Sequence, residues 1–131
     1  MIVADASVII DVILRTPGSD RVATRLLDEK ETLHAPHLLD IEVAQVLRRY
    51  VARQELHEDR ARNAISLLVA FPLTRYSHEP LLERIWELRA NITAYDAAYV
   101  ALAEALGAVL LTRDAKLASA PAAARVAELI G

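Results

Sequence analysis

Cysteine is absent from the sequence, which excludes thiolate metal sites, thiol nucleophiles and a disulfide framework at once. Glycine occurs three times, too rarely for a glycine-rich phosphate loop. Lysine appears only as Lys30 and Lys116, and aromatic residues make up 5% of the chain. Long hydrophobic runs are missing too. Leu67 to Leu73 spans about seven residues, against the roughly 20 that a bilayer-spanning helix needs. No basic segment precedes an apolar stretch at Met1-Ile2-Val3-Ala4-Asp5, as an export signal requires. A cytoplasmic protein without membrane association is expected. A surplus of positive charge is also lacking. Fifteen basic residues face eighteen acidic ones, a net charge of −3, which speaks against holding nucleic acid by bulk charge alone.

The length of 131 residues fits a single domain, 1–131, and 54% hydrophobic residues suffice for a packed core. Met1 to Ala4 and Ala108 to Thr112 are continuous apolar runs, the pattern of strands covered on both faces. Weaker strand patterns lie at Thr32–Ala35, Leu73–Tyr76 and Arg125–Leu129. Helical spacing fills the intervals. Ser7 is placed to cap a helix through Leu14, and Ser19 or Asp20 one through Leu27. Pro36 is expected to open a long helix to about Arg53, and another runs from about His57 to Ala70. Pro80 starts an amphipathic helix carrying Leu81, Leu82, Ile85, Trp86 and Leu88. Thr93-Ala94-Tyr95-Asp96 has the form of a capping box, and the helix after it is apolar nearly all round, so it belongs deep in the domain. Gly107 is a natural stop for it. This alternation predicts an α/β fold: three layers, α/β/α, around a mostly parallel sheet of four or five strands. Such sheets bind ligands at the carboxyl ends of their strands.

Acids stand where those ends should be. Asp5 closes the first apolar run, and Asp114 follows the run ending at Thr112 by two residues. Asp96 lies in the first turn of the most apolar helix, and Glu42 at the margin of an apolar stripe in the long one. Each also has a purely structural role available: turn or cap for Asp5 and Asp114, dipole compensation for Asp96, a surface pair with Arg49 for Glu42. Together in one cleft they would repel one another unless a cation offset the charge. A hard divalent cation with oxygen ligands, Mg²⁺ or Mn²⁺, suits that role. Such an ion activates water and stabilises charge on a phosphoryl oxygen, with Asp96 and Glu42 as candidate general bases. Ser7 and Thr112 are placed to support the carboxylates or a scissile phosphate by hydrogen bonding.

Four blocks of the sequence resemble PIN-domain ribonucleases, specifically the VapC-type toxins of bacterial toxin–antitoxin pairs. Val3-Ala4-Asp5-Ala6-Ser7 is similar to the family's opening D-x-S, and Pro36 through Arg49 to its glutamate helix. Thr93 through Ala103 is the most specific block, and Leu110-Leu111-Thr112-Arg113-Asp114 resembles the closing T-x-D. The resemblance implies a PIN-like domain and a metal-dependent endoribonuclease, with Asp5, Glu42, Asp96 and Asp114 as catalytic and metal-holding acids. It implies a homodimer, a cognate VapB-type antitoxin covering the site, and a transfer or ribosomal RNA as substrate. Some relatives carry one more acid where this chain has Lys116, so one or two ions remain open.

Arginine, with thirteen residues, supplies nearly all the basic charge and suits bidentate phosphate contact. Arg113, between Thr112 and Asp114, is the leading candidate for RNA contact, with Arg49 and Arg15, and Arg48 and Arg53 behind them. Tyr95 and Tyr99 are expected to pack against the core. His34, His37, His57 and His78 lack metal-ligand spacing and are expected to be structural or exposed. The helix from His57 to Phe71 carries more apolar residues than one core face needs, which suits a groove for an antitoxin helix. Two other functions compete. An aspartate-based phosphoryl-transfer domain would want a second acid near Asp5, where Ala6 and Ser7 stand. A non-catalytic PIN module that only binds a partner would have no use for mutually repelling acids.

Overall fold

The computed structural model describes residues 1–131. Strands β1 (Ile2–Ala4), β2 (Leu33–Pro36), β3 (Leu73–Tyr76), β4 (Val109–Thr112) and β5 (Ala127–Leu129) form one sheet in the order β3-β2-β1-β4-β5. Every neighbouring pair is parallel, with Val3 opposite His34 on one side and Leu110 on the other. The apolar runs at β1 and β4 are continuous because both faces of the sheet are covered: Val3, Ala4, Leu110 and Leu111 are fully buried.

The helices are α1 (Ala6–Leu14), α2 (Ser19–Leu26), α3 (Leu38–Ala52), α4 (Glu58–Ala70), α5 (Leu82–Glu87), α6 (Ala94–Leu106) and α7 (Ala115–Ser119). Helices α1 to α4 pack on one another, while α5 packs on α6 and α6 lies against β1, β2 and β4. The strand order explains the division. The chain steps outward from β1 to β3, then returns to place β4 on the other side of β1. Right-handed crossovers in opposite directions put their helices on opposite faces, giving the three-layer α/β/α architecture. The reversal also opens a crevice at the carboxyl ends of β1 and β4. Helix α6 is the buried one: Ala97 through Ala103 are all inside, and Gly107 ends it at φ +63°, where a side chain is disfavoured.

Several local expectations need correction. Asp5, not Ser7, caps α1. Gly18 precedes α2 without a side-chain cap, and Ser19 is buried within the helix. Pro36 does not open α3; it ends β2, opposite Tyr76, and the His37 N–H donates to the Tyr76 carbonyl at 2.8 Å. Proline is tolerated there because the ladder with β1 has already ended at His34. The start of α3 is tied down instead by His78, whose Nε2 accepts the Leu38 N–H at 2.9 Å. Pro80 sits in a 3₁₀ turn before the short α5, which leaves Leu82 and Trp86 exposed. Helix α7 follows Asp114 where no helix was expected. His34 is buried and structural, its ring bonded to Thr32 Oγ1 at 2.8 Å and Tyr76 OH at 2.6 Å. No helix is long and apolar enough to cross a membrane.

Candidate active site

The register of β1 and β4 brings Asp5 and Thr112 together. The Asp5 N–H extends the ladder to the Leu111 carbonyl at 3.3 Å, and the Thr112 hydroxyl donates to Asp5 Oδ2. Asp5 Oδ1 accepts from the Ser7 hydroxyl at 2.5 Å and from the N–H groups of Ser7 and Val8, which caps α1. Both hydroxyls pass polarity inward from the loop after β4. Ser7 Oγ accepts the Arg113 N–H, and Thr112 Oγ1 accepts the Asp114 N–H, each at 3.0 Å. The expected support roles of Ser7 and Thr112 thus take a definite form: one hydroxyl fixes each oxygen of Asp5. Burial raises the Asp5 pKa, and these donors only partly oppose it.

Asp114 caps α7 through Oδ1, which accepts the N–H groups of Lys116 at 2.9 Å and Leu117 at 3.2 Å. Thr93 caps α6 by accepting the Asp96 N–H at 3.1 Å. The Asp96 carboxylate does not close the box by bonding back to Thr93. It stays free of hydrogen bonds and lines a cleft with Asp114 and Lys116. Burial raises its pKa, the charge of Asp114 raises it further, and Lys116 opposes both.

Glu42 enters from α3, on the other helical layer, and takes its only hydrogen bond from Tyr99 of α6. The Tyr99 hydroxyl donates to Glu42 Oε1 at 2.5 Å. Burial raises the Glu42 pKa, and the charges of Asp96 and Asp5 add to it. Burial and the charge of Glu42 push the Tyr99 hydroxyl up as well, so it remains a donor at neutral pH. The four acids therefore share one field: Glu42 feels Asp5 and Asp96, and Asp96 feels Asp114.

No three acidic or histidine side chains are grouped closely enough to hold a metal ion between them. The arrangement nevertheless suits a hard, hydrated divalent ion. Its donors are all carboxylate oxygens, they repel one another, and Asp96 has both oxygens unengaged. Mg²⁺ keeps several of its waters and needs only a few protein ligands. An open site of this kind fits such an ion better than an ion that demands a full protein cage.

The arginines fare differently. The Arg113 guanidinium is held by Asp11 of α1, so it is not the free phosphate contact expected. Arg15 ends α1 in a left-handed conformation, roughly 15 Å along the helix from Asp5, and lines a different cavity. Distance removes it from the acids. Arg49 is exposed on α3, two turns beyond Glu42 and on the same face, and does not pair with it. Sequence reasoning missed three features: the Tyr99 bond to Glu42, the Asp11 hold on Arg113, and Arg89 beside Lys116 on the cleft. Only the first had a visible signal, since Tyr99 lies one helical turn after Asp96.

Comparison with known proteins agrees with the fold. The family model described as PIN domain matches residues 2–123. Ribonuclease VapC1 of Mycobacterium tuberculosis is 46% identical over 120 residues, covering 91% of this chain and 90% of that protein. Among solved structures, VapBC2 from Rickettsia felis, bound to a DNA fragment from its promoter, superposes with a TM-score of 0.70 at 17% identity, over 98% of each chain. A toxin–antitoxin complex from Klebsiella pneumoniae superposes with a TM-score of 0.64 at 21% identity, over 93% of this chain and 94% of that one.

Proposed function

This chain belongs to the PIN-domain family, among its VapC-type ribonucleases, and we propose that it is a toxin that cuts RNA internally with a divalent metal ion. The observation that carries the reading is the shared field of four carboxylates at the sheet's carboxyl edge, with the Asp96 carboxylate left unbonded. Asp5, Glu42, Asp96 and Asp114 would hold Mg²⁺, or Mn²⁺, as one or two ions. When bound, the ion supplies a nucleophilic water and stabilises charge on the phosphoryl oxygen. Asp5 is immobilised by Ser7 and Thr112, so its free lone pairs keep one direction. Glu42 is oriented by Tyr99. Asp96, unbonded and with a raised pKa, is the group best placed to accept a proton from water at the mouth of the cleft. Acids that repel one another serve no scaffold, which disfavours a module that only binds a partner. Asp5 has no acidic neighbour, which disfavours an aspartyl-phosphate mechanism.

A VapB-type antitoxin is the expected inhibitor, and α3 and α4 support its docking. They bound a groove of about 610 Å³ lined by Leu47, Val51, Ala61 and Ile65, with Arg48 and Arg62 at its rim. Its shape and polarity suit an amphipathic helix. The homodimer, the choice of transfer or ribosomal RNA, and a cytoplasmic location belong to the same proposal.

The test uses purified, antitoxin-free protein with structured RNAs in Mg²⁺, Mn²⁺ or EDTA, beside Asp5→Asn and Asp96→Asn. Asparagine still accepts the capping bonds at position 5, so both variants should fold. Internal cuts that need metal and vanish in both variants are expected. Cutting that survives either substitution would refute the site, and a covalent acyl-phosphate would replace the mechanism.

A further inference from the structure

A cleft of about 540 Å³ opens beside the acids, between the connection from α5 to α6 and helix α7. That volume lies within the roughly 300–1,000 Å³ typical of small-ligand sites. It is lined by charges of both signs: Asp96 and Asp114, with Arg89 and Lys116. Ile92 and Leu117 add apolar lining.

Several arginines of this chain are spent on ion pairs, and these two cations are not. Arg25, Arg62, Arg75, Arg84 and Arg113 are all committed to carboxylates. Arg89 has no acidic partner. Its guanidinium lies 4.5 Å from the centre of the exposed Trp86 ring and donates to the Trp86 carbonyl at 2.9 Å, which holds it in place. Lys116 is exposed, and its ammonium group forms no ion pair. Cations kept free of carboxylates beside an acidic centre are suited to a phosphate. Apolar lining beside them is suited to the face of a base, not to a bare anion.

We propose that this cleft seats one ribonucleotide of the substrate strand, turned out of its stack, with its phosphate between Lys116 and Arg89 and its base on Ile92 and Leu117. The proposal rests on the nuclease reading above and places the strand relative to the acids. A phosphodiester held at Lys116 lies directly beside Asp96 and Asp114, where hydrolysis would occur. Single-stranded RNA is commonly recognised through bases turned out of their stack.

The experiment measures anisotropy of a short fluorescein-labelled single-stranded RNA in EDTA, where no metal-dependent cutting interferes. The full chain is compared with Lys116→Ala, Arg89→Ala, Lys116→Arg and Arg21→Ala, the last on α2, which contributes nothing to the cleft. Each cleft alanine should weaken binding about three- to tenfold and lower the slope of log K against log salt by about 0.7 per lost phosphate contact. Lys116→Arg should restore most of the affinity, and Arg21→Ala should match the parent. In Mg²⁺, the alanine variants should raise KM for a cleaved RNA and leave kcat nearly unchanged. Wild-type affinity and slope in both alanine variants would overturn the proposal, as would a fall in kcat at constant affinity. Tighter binding of a free mononucleotide than of the strand would also overturn it, by making the site one for small nucleotides. If the parent cuts no RNA while the affinity losses appear as stated, the nuclease reading fails and the cleft assignment stands.

Discussion

At the scale of single residues, Asp5 and Asp96 show two ways to hold a carboxylate. Asp5 is built into the fold: it caps α1 and takes the Thr112 hydroxyl from β4. Asp96 carries no such duty beyond its backbone N–H, and its side chain is free for chemistry. Glu42 lies between these cases, because one bond from Tyr99 orients it. Tyr99 is buried at 2% exposure, so Tyr99→Phe keeps the ring packing and removes only the donor. The change should lower Mn²⁺ affinity by about tenfold, in line with the loss of an orienting partner at other metal sites. Calorimetry of Mn²⁺ binding and a double-substitution cycle with Glu42→Gln check it. Additive effects in that cycle would show that the hydroxyl does not act through Glu42. The acids themselves could be picked out in the sequence: three follow an apolar run or a cap signal, and Glu42 borders an apolar stripe. The position of Tyr99, one turn after Asp96, was a signal for a place near the acids, but its bond to Glu42 was not legible, because that partner is 57 residues away and on the opposite helical layer.

At the scale of elements, apolar patterning located all five strands, while the departures came where capping chemistry overrode pattern. Pro36 reads as a helix opener, yet it completes the ladder to β3, and His78 from a distant turn caps α3. Helix α7 is short and owes its start to Asp114, so periodicity had little to detect. The surplus apolar residues of α4 did carry through: Ile65 is 37% exposed, Leu67 41% and Val69 74%. Ile65 faces the groove beside α3, far from any strand end. Ile65→Asp should therefore weaken the complex with a co-expressed cognate antitoxin by more than about tenfold, since a buried unpaired charge is costly. RNA cutting by the free variant should equal that of the parent. Pull-down yield and a cleavage assay on the same preparation separate the two effects, and an unaltered complex would place the antitoxin elsewhere.

At the scale of the whole molecule, the net charge of −3 reads as a local feature. Without the four site acids, 14 acidic residues face 15 basic ones. The deficit of positive charge is thus concentrated where a divalent ion would cancel it. Such a cluster must weaken the metal-free fold, and the sign follows from the direction of the shifts. Asp5, Glu42 and Asp96 all have pKa values raised above the ordinary ones of 3.8 to 4.5. The folded state then binds more protons than the unfolded state, so these groups make stability fall as pH rises through their folded pKa values. Asp96→Asn removes one of the repelling charges and keeps the shape. In EDTA at pH 7 the variant should melt at a higher temperature than the parent, and the gap should close as pH falls through the raised pKa values of the acids. Saturating Mn²⁺ should reverse the order, because binding to the native state stabilises the parent and has less to bind in the variant. Thermal melts at several pH values, with and without metal, test this. A variant less stable than the parent in EDTA would mean that Asp96 stabilises the fold and that repulsion does not govern the site.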